Sequence, residues 1–459
     1  MLVGRRLDVS RVTAGAVAER LTAALRATGL TLPDEVRRTG SAQPDASCPV
    51  LSWAESGAMW LTGWPDGPPQ WPTGDVIGAL SSTAGLLCAL ASSIGGDPGP
   101  FDIGALLSGR AAVRGGARRG STSVGGRSRI LRASDGWITV TLSRFSDLEL
   151  LPAFSSGGIP PAAPTDLVDP GERDGLWDRL EAFTGGRSAR ALEAAGQLVG
   201  LAVARVGSSD GDAMPWSISR LGAPVPVRPQ RPRVVDFSAM WAGPLCAHLL
   251  GRCGAEVVKV EDAGRPDATR LGDPWLFEEL HRGHEQIVLD FGSAVDRGLL
   301  GELVASADVI VEASRPRALG HLGMDPERFL GSRAGRTWIS ITGYGRSGER
   351  SNWVAFGDDA AAAGGLVAAG DPRGPSFCAD AIADPVSGLC AATGAMASIA
   401  GGGGHLVECS MRAASAFVNR HGACAGEHRV EAQGGRWSVS HGDVTRLVEI
   451  PRPPDRQNH

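Results

Sequence analysis

The segment VVDFSAMWAGPLCAHLLGRCGAEVVKVED (residues 234–262) decides the fold of this 459-residue chain. It starts with an apolar β-branched run, passes an Ala-Gly-Pro turn into a helical stretch, and ends in a second apolar run. Two such runs joined by a helix are typical of a βαβ unit. Gly243 permits close backbone approach, and Pro244 suits a first helical turn, where its missing N–H has no partner to lose. Such a helix N-terminus offers free amides to an anion, although an ordinary turn fits equally.

The same alternation continues downstream. QIVLDF, ADVIVEAS and TWISITGYG read as further strands, and residues 295–305 read as a helix. Short apolar strands separated by helices indicate a parallel sheet with both faces covered. The predicted fold class is therefore α/β.

Upstream of this region the organisation is looser. We divide the chain into a polar segment (1–50), a region with one clear strand at 137–142 (51–221), a proline-rich linker (222–233), the α/β domain (234–445) and a disordered tail (446–459). A further helix is expected near residues 14–26. The apolar window 76–94 is interrupted by serines and ends in Gly-Gly-Asp-Pro, which favours a buried helix over a membrane span.

The amino-acid composition indicates which classes of protein can be set aside. Apolar content of 42% and charged content of 21% are those of a globular chain, and a net charge of -5 gives no reason to expect nucleic acid. The eight cysteines form no CxxC pair, and no histidines show metal-ligand spacing, so we expect no metal. No apolar run of signal-peptide length opens the sequence, and we expect a cytoplasmic protein without membrane contact.

The chain also carries an internal similarity. Residues 56–69 resemble residues 364–376, and the helical stretch at 74–96 resembles that at 379–402. The matched order of turn, helix and glycine stop favours a repeat, and chance likeness between two Ala/Gly-rich stretches is the alternative.

Residues 234–262 resemble the opening of the class III CoA-transferase family, the CaiB/BaiF group that includes formyl-CoA:oxalate transferases and 2-methylacyl-CoA racemases. Lys259, the only lysine of the chain, stands where that family keeps a lysine. Six further blocks resemble the family in order: RPDATR (265–270), IVLDF (287–291), ADVIVEASRPRALGHLG (307–323), ISITGYGRSG (339–348), IADPVSGLCAATGAMASI (382–399) and GHLVECSM (404–411).

The resemblance implies a large domain with a Rossmann-like sheet, a smaller α+β domain, long linkers and coenzyme A as part of the substrate. It also implies candidate contacts with CoA at Trp241, Ala242, Gly243, Pro244, Lys259, Arg270, Arg315 and Arg317. A solvated surface charge is the alternative for each arginine. For Lys259 the alternative is an ion pair with Glu261 or Asp262.

The family's nucleophile is an aspartate eight residues before the glycine of a Ser-Gly-Leu turn. In this chain that count, taken from Gly365, falls on Gly357, and the next residues are Asp358 and Asp359. In a transferase the aspartate attacks the acyl-CoA thioester, which gives a mixed anhydride and then an aspartyl-CoA thioester. We predict Asp358 as this nucleophile, with Asp359 as the second candidate. Helix capping by the two carboxylates, with no catalytic aspartate, is the alternative.

The resemblance therefore implies a CoA-transferase that acts on an acyl-CoA and a carboxylic acid acceptor. An acyl-CoA racemase or isomerase is one alternative, but it needs a histidine, and His281 or His284 would have to approach through the fold. A catalytically inactive CoA-binding partner subunit is the other. Residues 53–205 resemble a second half placed ahead of a first half, so we expect a fused or permuted chain that forms a homodimer or an intramolecular pseudo-dimer.

Overall fold

The computed structural model describes residues 16–28, 30, 48–163, 170–209, 214–226, 231–420 and 426–453. A 3₁₀ turn covers Ala58–Leu61. The α-helices are α1 (Ala16–Ala27), α2 (Pro49–Glu55), α3 (Val76–Ser92), α4 (Ile103–Val113), α5 (Phe145–Glu149), α6 (Leu151–Phe154), α7 (Pro170–Thr184), α8 (Ala189–Val199), α9 (Ala242–Arg252), α10 (Thr269–Gly272), α11 (Pro274–Leu280), α12 (Ala294–Ser306), α13 (Arg317–Gly320), α14 (Pro326–Ser332), α15 (Gly357–Ala363), α16 (Ala383–Ala400) and α17 (Met411–Asn419).

The strands build one large sheet and three smaller ones. They are β1 (Ser128–Ala133), β2 (Gly136–Thr141), β3 (Ala202–Arg205), β4 (Trp216–Arg220), β5 (Arg233–Asp236), β6 (Glu256–Asp262), β7 (Glu285–Leu289), β8 (Val309–Glu312), β9 (Thr337–Thr342), β10 (Val367–Ala368), β11 (Ser376–Phe377), β12 (His405–Ser410), β13 (Arg429–Gln433), β14 (Arg436–His441) and β15 (Val444–Leu447).

The large sheet has seven strands in the order β4-β12-β9-β8-β5-β6-β7. All neighbours run parallel except β4, which pairs antiparallel with β12. Strands β8 and β9 are buried along their whole length, as expected for parallel strands with helices on both faces. The α/β prediction is confirmed, and β5, α9 and β6 form the predicted βαβ unit.

One apolar core crosses the predicted boundary at residues 222–233. Strand β4 precedes this proline-rich segment, yet it is an edge strand of the same sheet as β5. Leu80 and Leu87 of α3 belong to the same core as Leu245 of α9 and Leu389 of α16. The regions 51–221 and 234–445 therefore fold around shared contacts, and the proline-rich segment connects two strands of one sheet.

A smaller unit has a hydrophobic core of its own. Strands β1, β2 and β3 form an antiparallel sheet, and helices α7 and α8 cover it. Leu131, Val140, Trp177 and Val203 are among its buried side chains. This unit matches the smaller domain that the family resemblance implies.

The C-terminal strands β13, β14 and β15 form an antiparallel meander. The N–H of Glu449 donates to the carbonyl of Ala54 at 2.9 Å, which ties the chain after β15 to α2. The predicted tail boundary at residue 446 thus falls inside a strand, and residues 446–453 continue the fold. Residues 454–459 lie outside the described part, as do most residues of the predicted segment 1–50.

The two helices of the internal similarity pack against each other. Thr393 of α16 donates from Oγ1 to the carbonyl of Thr83 in α3 at 3.4 Å, and both side chains are buried. Helix α3 confirms the expectation of a buried helix in the apolar window. Across the described ranges, no helix combines the length and hydropathy needed to cross a bilayer.

Helices α9 and α16 approach each other closely at Gly388. A Cβ at this position would lie 2.8 Å from the carbonyl oxygen of Ala242 and 2.8 Å from a methyl of Leu245. We expect Gly388→Ala to push the helices apart and to lower the free energy of unfolding by roughly 1–3 kcal/mol, as measured by urea denaturation.

The matched control is Gly301→Ala in the exposed part of α12, where a Cβ would meet nothing within 4 Å. Helix propensity alone should then stabilise the protein by up to about 1 kcal/mol. Equal shifts of the same sign in both variants would contradict the close approach at Gly388.

Candidate active site

The two candidate aspartates, Asp358 and Asp359, lie in the first turn of α15, and their carboxylates have different hydrogen-bond partners. The N–H of Phe356 donates to Oδ1 of Asp359 at 2.9 Å, and the hydroxyl of Thr141 donates to the same oxygen at 3.0 Å. Asp359 is fully buried, and its carboxylate caps its own helix. The capping alternative therefore describes Asp359 well.

Asp358 instead reaches away from its helix. Its Oδ1 accepts the N–H of Ala381 at 3.1 Å, and its Oδ2 accepts the hydroxyl of Ser128 at 2.9 Å. Its side chain is half-buried. Both carboxylate oxygens are held by segments distant in sequence, so the orientation of Asp358 is fixed by tertiary structure and not by helix capping.

A buried ion pair lies beside Asp358. Arg110 of α4 donates from Nε to Oδ2 of Asp380 at 2.8 Å and from Nη2 to Oδ1 at 2.6 Å. Only 3% of the Asp380 side chain is exposed. The Arg110 guanidinium also stacks 4.4 Å from the ring centre of Trp241. Two parallel hydrogen bonds and a stacked ring hold this arginine rigidly.

The Ala-Gly-Pro turn meets the same cluster through Asp384, in the first turn of α16. The backbone N–H of Ala242 donates to the Asp384 carboxylate. Gly357 lies here too, and a Cβ on it would collide with Asp384 and with the carbonyl of Ala381. The position that the family spacing assigns to the nucleophile therefore has no room for a side chain.

The loop that carries Asp380 is strained. Ala379 and Ala381 adopt φ values of 52° and 44°, which side chains other than glycine rarely accept. The hydroxyl of Thr62 accepts the N–H of Ala379 at 3.1 Å, and Asp358 accepts that of Ala381. Strained backbone persists only where the surroundings enforce it, and it concentrates at functional sites.

Burial and mutual repulsion dominate the electrostatics of this cluster. Burial, together with the nearby charge of Asp380, raises the pKa of Asp358, while hydrogen bonding to Ser128 and the charge of Arg110 oppose the shift. Burial raises the pKa of Asp384 to about 7, against the charge of Arg110. One guanidinium thus faces three carboxyl groups, and any step that neutralises a carboxylate relieves repulsion.

Lys259 lies elsewhere, inside the protein. It is fully buried, donates to the carbonyl of Ser238, and lies 3.5 Å from Asp267 and 4.0 Å from Asp236. Lys259 has no exposed surface in this structure, and its contact with CoA stays a prediction. Its ion-pair partners are Asp236 and Asp267, not the expected Glu261 and Asp262. Lys259 instead fixes the loop before α9, where Asp267 accepts the N–H of Met240.

The turn residues behave as a tight βα connection. Trp241 and Ala242 are 5% and 4% exposed, and Gly243 and Pro244 are also buried. A Cβ on Gly243 would collide with Ser238, so glycine is required at that position by close approach of the backbone.

The remaining predicted arginines differ in their surroundings. Arg270 binds Glu261 and Gln286 and stacks 4.0 Å from the ring centre of Phe277. Arg315 is exposed after β8. Arg317 begins α13, but its side chain lies outside the described residues. Contact of these arginines with CoA stays a prediction.

The two histidines that a racemase would need contact each other, and both feel the charges of Lys259 and Asp236. Burial lowers the pKa of His281 and lowers that of His284 to about 4, and the charge of Lys259 adds to both shifts. Nδ1 of His281 lies 2.8 Å from the carbonyl of Phe277. His281 is buried and His284 is half-buried, and these pKa shifts favour the neutral form of both rings.

Because Asp359 is buried, we expect the stability of the protein to depend on pH. Burial raises its pKa to about 8 from 3.8, and the described residues supply no donor to its Oδ2. The folded protein thus binds this proton more tightly than the unfolded chain. The stabilisation is complete below pH 3.8 and is lost as the pH rises towards 8.

We therefore expect Asp359→Asn, which cannot ionise, to stabilise the protein increasingly over that window, by at most about 1.4 kcal/mol for each pH unit. Urea denaturation at pH 5, 6, 7 and 8 measures the difference. The wild type, measured at the same four pH values, is the reference. A constant effect of Asp359→Asn would contradict the assignment.

The α/β region is similar to known proteins. The model of CoA-transferase family III matches residues 231–438. The chain is 32% identical over 185 residues to succinyl-CoA–D-citramalate CoA-transferase of Chloroflexus aurantiacus, covering 38% of this chain and 46% of that protein. It is 30% identical over 161 residues to acetyl-CoA:oxalate CoA-transferase of Acetobacter aceti, covering 33% and 41%. It is 28% identical over 229 residues to human succinyl-CoA:glutarate CoA-transferase, covering 46% and 51%.

The chain thus spans about half the length of the curated relatives it matches. Among solved structures, a CAIB/BAIF family protein from Brucella suis is 27% identical, with a TM-score of 0.38 over 41% of this chain and 54% of that one.

Proposed function

Because residues 231–438 match the model of CoA-transferase family III, we propose that the protein transfers CoA from an acyl-CoA to a carboxylic acid, with Asp358 as the nucleophile. The observation that carries this proposal is the placement of Asp358. Its carboxylate is half-buried, is oriented by Ser128 and Ala381, and lies in one cluster with Arg110, which stacks on the Trp241 turn.

The chemistry proceeds by acyl exchange at one carboxylate. Asp358 attacks the thioester carbonyl, the C–S bond breaks, and a mixed anhydride and CoA thiolate form. The thiolate attacks the aspartyl carbonyl of the anhydride, which releases the donor acid and leaves an aspartyl-CoA thioester. The acceptor carboxylate then repeats both steps in reverse order, which frees Asp358 and forms the new acyl-CoA.

The charges around Asp358 favour the acylated states. As a carboxylate it is poorly solvated and is repelled by Asp380, both of which raise its pKa. Conversion to an anhydride or thioester removes its charge. Ground-state repulsion that vanishes on acylation lowers the barrier to the first step.

We also propose that one chain supplies both halves of the site, as an intramolecular pseudo-dimer. Arg110 and Ser128 come from the region before the proline-rich segment, whereas Asp358, Asp380 and Asp384 come from the region after it. The packing of α3 on α16, the two helices of the internal similarity, supports the same arrangement.

The test combines product analysis with trapping. The full chain is incubated with succinyl-, acetyl- or formyl-CoA and with oxalate, glutarate or citramalate, the acids named by its relatives. We expect a new CoA thioester by mass spectrometry. With hydroxylamine and acyl-CoA, the peptide containing Asp358 should carry a hydroxamate. Free CoA without an acyl group is the control, because it cannot activate a carboxylate.

Two results would contradict the proposal. CoA binding without product or label for every pair would indicate a non-catalytic CoA-binding protein. Solvent exchange of the α-hydrogen of the acyl group without an acceptor acid would indicate proton transfer instead.

A further inference from the structure

A second group of reactive side chains lies outside the aspartate cluster. Cys48 directly precedes α2, His428 directly precedes β13, and His441 ends β14. Sγ of Cys48 lies 3.1 Å from Nε2 of His428, and one potential ligand atom from each of the three residues lies within 4.8 Å of the others. All three side chains are half-buried.

Both imidazoles are oriented by backbone groups. Nδ1 of His441 lies 3.4 Å from the carbonyl oxygen of Glu427, and since a carbonyl only accepts, Nδ1 carries the proton. His428 makes a hydrogen bond with the backbone of Gly426. Histidines that bind metals usually donate their other ring N–H to such a carbonyl, which leaves the second nitrogen with a lone pair.

The rings themselves are held in place. His428 and His441 stack with ring centres 4.6 Å apart and planes at 18°, and Trp71 lies 5.5 Å from the His428 ring. These ring contacts fix the planes of both imidazoles, so that a nitrogen of each ring stays close to Cys48.

The group borders a cavity of about 580 Å³. His428 is part of the cavity wall, together with Pro49 and Val50 of α2 and the rings of Trp53 and Trp71. A small molecule in this cavity would meet an apolar surface on most sides and the Cys/His group on one.

We propose that Cys48, His428 and His441 bind a divalent transition metal, zinc in the first instance, with a fourth coordination position open to the cavity. One thiolate and two imidazoles are ligands of zinc, and three protein ligands leave one position for water or another small ligand. A hydrogen bond between Cys48 and His428 would account for their 3.1 Å contact, but it gives no role to His441.

The test uses the metal-free full chain and Co²⁺, whose spectrum reports geometry and ligands. We expect one equivalent to bind, with the strong visible bands of tetrahedral cobalt and a thiolate-to-cobalt charge-transfer band. Zn²⁺ should displace the cobalt. Cys48→Ser should abolish the charge-transfer band, and His428→Gln or His441→Gln should weaken binding by about a hundredfold.

Cys88→Ser is the matched control, since Cys88 is a half-buried thiol of α3 outside the group. It should leave the spectrum unchanged. Thermal unfolding of each metal-free variant checks that the fold is retained.

Three outcomes would contradict the proposed metal site. These are failure of the wild type to bind cobalt, a six-coordinate spectrum, and a tetrahedral spectrum that persists in Cys48→Ser. If cobalt fails to bind while His428→Gln slows alkylation of Cys48, the group is a thiol–imidazole pair without metal, and the proposal is wrong.

Discussion

Asp358→Asn should lower CoA-transfer activity by at least about a thousandfold, because the amide cannot attack a thioester. The substitution keeps the shape of the side chain and an oxygen that can accept from Ser128 or Ala381. Binding of CoA should therefore change little, and the loss should appear in kcat. Steady-state kinetics and calorimetric titration with CoA separate the two effects.

The neighbouring aspartate supplies the control. Asp359→Asn keeps an oxygen for the contacts with Phe356 and Thr141, and it should retain activity within about tenfold of the wild type. If both variants kept full activity, neither carboxylate would be the nucleophile. If only Asp359→Asn were inactive, the assignment of the two roles would be reversed.

Arg110→Met should destabilise the protein by roughly 3–5 kcal/mol, because it leaves the Asp380 charge buried without a partner. The Asp380 side chain is only 3% exposed, so water cannot replace the guanidinium. Methionine keeps part of the apolar volume against Trp241. Urea denaturation at constant pH measures the loss.

The double variant Arg110→Met/Asp380→Asn tests the cause. Removing the orphaned charge should recover most of the stability lost in the single variant. If the double variant were as unstable as Arg110→Met alone, the loss would come from packing against Trp241 and not from the unpaired charge.

Arg110→Met should also change the pH dependence of CoA-transfer activity. The charge of Arg110 lowers the pKa of Asp358 and of Asp384, so its removal raises both. Attack requires the ionised form of Asp358. The acid limb of the pH–rate profile should therefore move to higher pH in Arg110→Met. Adding Asp380→Asn should move it back towards lower pH, because the charge of Asp380 raises the pKa of Asp358.

The sheet could be predicted from sequence because its signals are local. Each strand of the βαβ unit is a short apolar run, and the Ala-Gly-Pro turn marks the start of the intervening helix. The edge strand β4 was missed, since WSISR is short and precedes a proline-rich stretch typical of a linker. Only its pairing with β12, for example of Ile218 with Val407, shows that it belongs to the sheet.

The candidate site was predicted in part. Asp358 follows from counting back from a glycine turn, but the count is one residue off, and Gly357 shows why no side chain fits at the counted position. Arg110 and Asp380 are 270 residues apart in sequence, so no spacing rule connects them. The motif that holds Asp380 and Asp384, CADAIADP, is visible in the sequence, and the paired acids in it were the available signal.

The surroundings of Lys259 and of the Cys/His group could not be predicted, for different reasons. The lysine matched a family position, but its ion-pair partners, Asp236 and Asp267, come from other segments of the chain. The cysteine and histidines showed no metal-ligand spacing because they come from the two ends of the described chain. Tertiary contact creates that group, and local pattern cannot reveal it.

The presence of Arg110, Ser128 and Asp358 in one polypeptide has a genetic consequence. Where two identical subunits share a site, two different defective alleles can complement each other by exchanging intact halves. In the proposed intramolecular pseudo-dimer, each copy keeps its own arginine and its own aspartate. Co-expression of an Arg110 variant with an Asp358 variant should therefore yield two populations of defective molecules, and neither allele should rescue the other.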